Sequence, residues 1–270
     1  MKTILMTGAA GGAARMLRSE LRDKYTLRLS DRVQIEDLAA DEQFLAADLL
    51  DIAQVRRAVQ SVDAIVHLGA FSVEADWETI RDANIAGTYN LYEAARQAGV
   101  KRIIFASSNH AVGFYERTTT IDHKVYPKPD SRYGVSKVLG EALASLYADK
   151  YGVGSLCVRI GNVAEAPVDR RRLAIWISAR DLAQLLTIGI EHPDIRFEIV
   201  YGVSNNEPHA WYDNSNAARL GYRPQDRSGA HAQQVLQDPQ DEGDARAREF
   251  QGGTFVVAEA GGDPTKPDVE

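Results

Sequence analysis

The chain has 270 residues, 44% hydrophobic and 26% charged, which is enough for one large or two small α/β domains with a sizeable core. A formal net charge of −7 argues against general affinity for nucleic acid or anionic membranes, but leaves room for a small anion held by a local arginine. The lone cysteine, Cys157, excludes an intrachain disulfide and sits among apolar neighbours as a core thiol; with no apolar run long enough for a membrane span or signal-peptide core, a reducing, cytoplasmic setting is expected.

Residues 2–7 read as a short buried strand that ends in Gly8-Ala9-Ala10-Gly11-Gly12-Ala13-Ala14-Arg15 and runs into a helix around Met16, Leu17 and Leu21. Strand, glycine turn and helix form a phosphate site: the glycines permit close backbone approach, and the helix N-terminus offers N–H groups and a positive dipole end. The spacing is G-x-x-G-x-x-A, with Ala14 small enough for close helix–strand packing. A strand at 26–30 delivers Asp31, 23 positions after Gly8, where a carboxylate accepts the ribose hydroxyls of an adenosine and repels a 2′-phosphate. NAD is therefore the expected cofactor, although Arg32 next to it is a potential partner for a 2′-phosphate.

Strand and helix signals then alternate. Residues 44–46 precede Asp48-Leu49, and 64–68 precede Gly69-Ala70. A long helix is expected over 76–98, with Ile80, Ile85, Leu91 and Ala95 on its apolar side, followed by a strand at 102–106. Such alternation implies a parallel sheet, a doubly wound α/β fold of Rossmann type. Residues 1–257 are expected to form one domain, with substrate loops mainly at 160–225, and 258–270 a disordered tail.

Ser107-Ser108-Asn109-His110 follow the strand at 102–106, where ligands bind in such sheets. After a polar, proline-containing loop at about 116–130, Ser131 or Asp130 is placed to cap a helix carrying Tyr133, Lys137, Leu139 and Leu143. Four helical residues advance about 400°, so Tyr133 and Lys137 share one face. A fixed cation beside a phenol is expected to lower its pKa toward the working range of a base. With 11 Tyr and 8 Lys, about 0.3 Tyr-x-x-x-Lys matches arise by chance, so the spacing gains meaning only from its company.

Taken together, the Thr7–Gly11 turn, Asp31, Asp48-Leu49, Asn84-x-x-Gly87-Thr88, Ser107-Ser108 and Tyr133-x-x-x-Lys137 resemble the short-chain dehydrogenase/reductase superfamily in its extended, epimerase-like branch. The resemblance implies that Ser108 binds the reacting oxygen, Tyr133 transfers the proton, and Lys137 tunes Tyr133 and binds the nicotinamide ribose. It places NAD against Gly8, Ala10, Gly11, Gly12, Ala13, Asp31, Arg32, Asp48, Leu49, Leu68, Gly69, Ala70, Asn84, Tyr133, Lys137 and Ile160.

The segments 67–74, 90–96, 107–113, 159–161, 211–214 and 250–256 are similar to NAD-dependent uronate dehydrogenases, which oxidise C1 of a cyclic uronic acid to an aldarolactone. By that resemblance Ser72, Ser108, Asn109, His110, Tyr133, Asn162 and Arg171 contact substrate, with Asn162 standing where the family has serine. Arg170, Arg171 and Arg172 are all candidates for the carboxylate, and Arg171 follows from counting along from Arg159. No metal is implied, since none of the six histidines shows zinc-ligand spacing. A homo-oligomer is expected from the way this superfamily pairs the helices at 76–98 and 131–151. Two other functions fit parts of the pattern: a sugar or sugar-nucleotide epimerase, dehydratase or reductase, and a dinucleotide-sensing regulator without catalysis.

Overall fold

The computed structural model describes residues 1–237 and 244–259. Of the tail expected at 258–270, residues 260–270 lie outside the described residues.

In β1 (Thr3–Thr7), Ile4, Leu5 and Met6 are fully buried, as a central parallel strand covered on both faces requires. The Gly8 turn follows, then α1 (Gly12–Leu21), which turns Ala14, Leu17 and Leu21 inward. Next come β2 (Thr26–Asp31), β3 (Gln43–Ala46) and α2 (Ile52–Ala58), whose first turn is capped by the Asp51 carboxylate. After β4 (Ala64–His67) the chain enters one helical run: α3 (Trp77–Ile80), a π-helical segment (Arg81–Ala86) and α4 (Gly87–Gln97). Then follow β5 (Arg102–Ser108), α5 (Arg132–Tyr151) and β6 (Gly154–Ile160). A small parallel pair, β7 (Asn162–Val163) and β8 (Trp176–Ile177), brackets α6 (Arg170–Ile175); α7 (Ala179–Glu191) leads to β9 (Phe197–Gly202).

Seven strands form one sheet in the order β3-β2-β1-β4-β5-β6-β9, with every neighbouring pair parallel. The expected doubly wound α/β architecture is present. Successive residues of β1 feed opposite layers: Ile4 and Met6 pack with Leu17 and Leu182, Leu5 with Leu91 and Val55. Cys157 lies in the second of these layers, fully buried, and burial pushes its thiol well above the ordinary range.

The winding reverses beside β1, because β2 lies on one side of it and β4 on the other. A crevice therefore opens at the carboxyl ends of β1 and β4. A Cβ on Gly8, which has φ +69°, would stand 2.6 Å from the Gly69 nitrogen, so only glycine lets the two loops meet.

Three local expectations change. The helix expected over 76–98 carries the π-helical segment, marked by the Gly87 N–H bonding to Asp82 O five residues back, which turns Asn84 inward. The strand expected at 102–106 continues to Ser108, so both serines belong to the sheet edge. The three adjacent arginines, expected among the substrate loops of 160–225, begin a helix, because Asp169 caps it through the Arg172 N–H.

Candidate active site

The crevice is lined by Gly8, Asp31, Arg32, Leu49, Gly69 and Phe71, among others. Gly11 is the N-cap of α1 and carries no side chain to occupy the free N–H groups of that helix end, which leaves them to a ligand. Ala10, Gly12 and Ala13 form the turn and the first helical residues. The Asp31 carboxylate is fixed by two backbone donors, Ala10 N–H at 3.1 Å and Val33 N–H at 3.0 Å. Asp48 closes its own turn by accepting the Leu50 N–H (2.9 Å). Leu49 lodges against Gly69 and Gly87, where a Cβ on either glycine would meet it at 2.9 or 2.8 Å. A cradle with a bare helix end, a fixed carboxylate one strand away and glycines at the closest approach fits a dinucleotide such as NAD. Leu68, just past β4, and Ile160, the last residue of β6, are partly buried against the core.

Asn84 is 3% exposed, and its amide is engaged. Oδ1 accepts the Phe71 N–H (2.7 Å), while Nδ2 donates to Phe71 O (3.0 Å) and Ser136 Oγ (3.0 Å). It shapes the crevice by holding Phe71 and tying that loop to α5. Two more bonds fasten the loop: Glu74, buried, accepts the Tyr133 N–H (3.0 Å) and pairs with Arg132 (2.8 Å). Ser131 caps α5 through the Gly134 N–H, one of the two expected caps. Ser72 is exposed on the same loop.

Tyr133 and Lys137 share the buried face of α5, with Lys137 Nζ 5.3 Å from the Tyr133 ring centroid. Nζ donates to the Ala106 carbonyl at 2.8 Å. Here the expected depression of the phenol is corrected. Burial pushes Tyr133 up to about 12, against a lowering hydrogen bond with Ser108, and Asp130 adds to the rise. Burial pushes Lys137 down to about 8. Desolvation is the largest cause for both groups, and for Tyr133 it outweighs the Ser108 hydrogen bond.

Ser108 opens a tight turn in which His110 N–H donates to its hydroxyl (3.2 Å). Asn109 is 1% exposed, and with its amide oxygen toward Arg171 Nη2 (2.9 Å) its nitrogen reaches Ile160 O (3.2 Å). The three arginines differ. Arg170 is exposed, Arg172 pairs with Asp169, and Arg171 turns inward, donating from Nε to Gln251 O (2.8 Å). Burial lowers Arg171 to about 10, as befits a desolvated guanidinium with no acidic ion-pair partner among the described residues. Asn162 sits in β7 with a buried amide oxygen that has no partner among the described residues.

Several neighbours were not singled out as site residues from sequence. His110 Nδ1 meets Asp130 Oδ2 at 2.7 Å, and Phe255 stacks on the His110 ring with centroids 3.7 Å apart. Gln251 orients Arg171 from a segment more than 70 residues further along the chain. Asp130 stood out only as a potential cap, and residues 250–256 only as a segment of resemblance. Nothing local in either stretch announces a partner so distant in sequence.

The model of the NAD dependent epimerase/dehydratase family matches residues 4–188. A uronate dehydrogenase of Pseudomonas syringae pv. tomato is 44% identical over 262 residues, covering 96% of this chain and 95% of that protein. The crystal structure of a glucuronic acid dehydrogenase from Chromohalobacter salexigens superposes with a TM-score of 0.90 at 44% identity, covering 96% and 97% of the two chains. A tyrosine-to-alanine mutant of uronate dehydrogenase from Agrobacterium tumefaciens, complexed with NAD, superposes with a TM-score of 0.89 at 39% identity, covering 96% and 98%.

Proposed function

We propose, for a chain that belongs to the NAD dependent epimerase/dehydratase family and within it to the uronate dehydrogenases, the oxidation of the C1 hydroxyl of a cyclic uronic acid to an aldarolactone. The chain is an NAD-dependent oxidoreductase acting on CH–OH. The observation that carries the substrate reading is Arg171, a half-buried guanidinium held by Gln251 and Asn109 within the cluster that contains Ser108 and Tyr133. In a protein of net charge −7, that fork of N–H donors suits a planar carboxylate.

The Gly8 to Ala13 turn would hold the pyrophosphate of NAD and Asp31 the adenosine ribose, with Arg32, Asp48, Leu49, Leu68, Gly69, Ala70 and Ile160 lining the rest. When bound, NAD⁺ supplies the acceptor for the hydride that leaves C1 and the positive charge of its nicotinamide ring. The protein's own part is proton transfer and orientation. Ser108 Oγ and Tyr133 Oη hold the C1 hydroxyl, and Tyr133 Oη takes its proton as the C1–H bond breaks and C1–O becomes a carbonyl. Lys137, fixed by the Ala106 carbonyl, keeps a cation beside the phenolate that forms. Arg171 holds the C6 carboxylate; Ser72, Asn109, His110 and Asn162 orient the sugar. Residues 1–257 act as one domain in a reducing, cytoplasmic setting. The chain assembles as a homo-oligomer through the outward faces of α4 and α5, where Tyr89, Val135 and Leu146 are exposed, and light scattering checks this mass.

Initial rates of NADH formation with glucuronate, galacturonate and glucose, in wild type and Arg171→Ala, test the reading. The variant should lose roughly 100-fold or more in kcat/KM on the uronates, as expected for removal of a charge-assisted pair, and change little on glucose. Equal loss on charged and neutral sugars removes the carboxylate role. No net NADH with uronates, but turnover of a nucleotide sugar, points to an epimerase.

A further inference from the structure

The Asp130 side chain has no exposed surface, and its surroundings are built to receive it. A Cβ on Gly113 or on Gly252 would collide with its carboxylate, so glycines from two distant segments leave the slot it fills. Oδ1 accepts the Ser131 hydroxyl (2.8 Å) and Oδ2 meets His110 Nδ1 (2.7 Å). The His110 ring is clamped: Phe255 stacks on one face at 3.7 Å, and Tyr133 lies edge-on at 5.8 Å. A carboxylate only accepts hydrogen bonds, so Nδ1 carries a proton, and in the neutral imidazole that leaves the lone pair on Nε2.

We propose that Asp130 is a positioning residue that locks His110 as a hydrogen-bond acceptor at Nε2, so that the sugar hydroxyl meeting it must be the donor. The identity of that sugar rests on the uronate reading above; the tautomer does not. The arrangement also orders the catalytic helix, because Ser131, which donates to Asp130, is the residue that caps α5. Asp130 lies within electrostatic reach of Tyr133 and Arg171 as well, and a test has to separate action through His110 from action on those groups.

A double-mutant cycle makes that separation. Asp130→Asn is nearly isosteric but offers an amide that also donates, which permits the other tautomer. It should lower kcat/KM for the preferred uronate by roughly 10- to 100-fold, the usual scale for the partner that orients a functional histidine. The loss should fall mainly in KM, with NAD affinity unchanged. In a His110→Ala background the same substitution should have almost no further effect. A loss that persists there means that Asp130 acts through Tyr133 or the fold, and overturns the proposal. Nitrogen-15 NMR of wild-type histidines, with His110 assigned from the spectrum of His110→Gln, reads the tautomer without substrate. Protonated Nδ1 and bare Nε2 are expected; the reverse overturns the proposal even if every variant misfolds. If wild type oxidises neither uronate, the substrate reading and the hydroxyl contact fall together, while the nitrogen spectrum still decides the Asp130–His110 tautomer.

Discussion

Tyr133 sits beside a cation and is nonetheless a weaker acid than a free phenol, because burial desolvates the phenolate more than the Ser108 hydrogen bond repays. Its role as base therefore depends on the assembled complex. Tyr133→Phe should lower kcat by roughly 10²- to 10⁴-fold with NAD affinity retained, and near-full turnover would remove the base assignment. Lys137 has a consequence for stability. Its folded value, about 8, lies below the ordinary 10.5, so its contribution is present above 10.5 and lost as pH falls through about 8. Wild type should therefore gain stability relative to Lys137→Met between pH 8 and 10.5. Tyr133, raised to about 12, has the opposite sign: its contribution is fully present below its ordinary value of 10 and is lost as pH rises through about 12, so it is constant over this window. Urea midpoints of both proteins at pH 7.5, 8.5 and 9.5 isolate the lysine, and a constant difference would show that it is not desolvated. The spacing in sequence disclosed the pair; it could not disclose the sign of the phenol's shift, since burial is a property of what packs around α5.

At the scale of elements, α5 is tied to the sheet by a buried ion pair. Arg159 of β6 donates from Nε and Nη2 to Glu141 Oε1 and Oε2, both at 2.9 Å, and Ser107 of β5 adds a third bond to the carboxylate (2.6 Å). Glu141 lies one turn beyond Lys137, so this cluster sets how the catalytic helix lies over the ends of β5 and β6. Arg159→Met alone should destabilise by about 3–5 kcal/mol, since it leaves a buried carboxylate without its partner. Pairing it with Glu141→Met should recover most of that loss, as read from urea midpoints. If the double variant is as unstable as the single, packing and not charge is what the pair supplies. In the sequence, Arg159 was only a point to count from and Glu141 went unremarked. The edge strand β9 was equally unannounced, because six residues whose burial runs from three half-buried to three buried, without alternation, carry little periodic signal.

For the molecule as a whole, cofactor binding is coupled to folding, since the crevice at the ends of β1 and β4 exists only when the sheet is formed. NAD at 100 times its Kd should add about 2.7 kcal/mol, raising the thermal midpoint by roughly 5–10 °C for a chain of this size. NADP should do much less, because the carboxylate held by the Ala10 and Val33 N–H groups faces the place of the 2′-phosphate. Equal shifts with the two cofactors would assign that place to Arg32.

The layers, the parallel sheet, the glycine turn, Asp31 and, in their company, the Tyr133–Lys137 pair were legible in the sequence, because each rests on a local rule of spacing within one strand, turn or helix. Which arginine turns inward was not, nor was the partner of His110. Arg171 is chosen over its neighbours by the Asp169 cap and by Gln251, and His110 is locked by Asp130 in a slot that Gly113 and Gly252 vacate. Those selections are made by segments far apart in the chain meeting at one sheet edge, and only the closing of the tertiary structure brings their atoms within hydrogen-bonding reach.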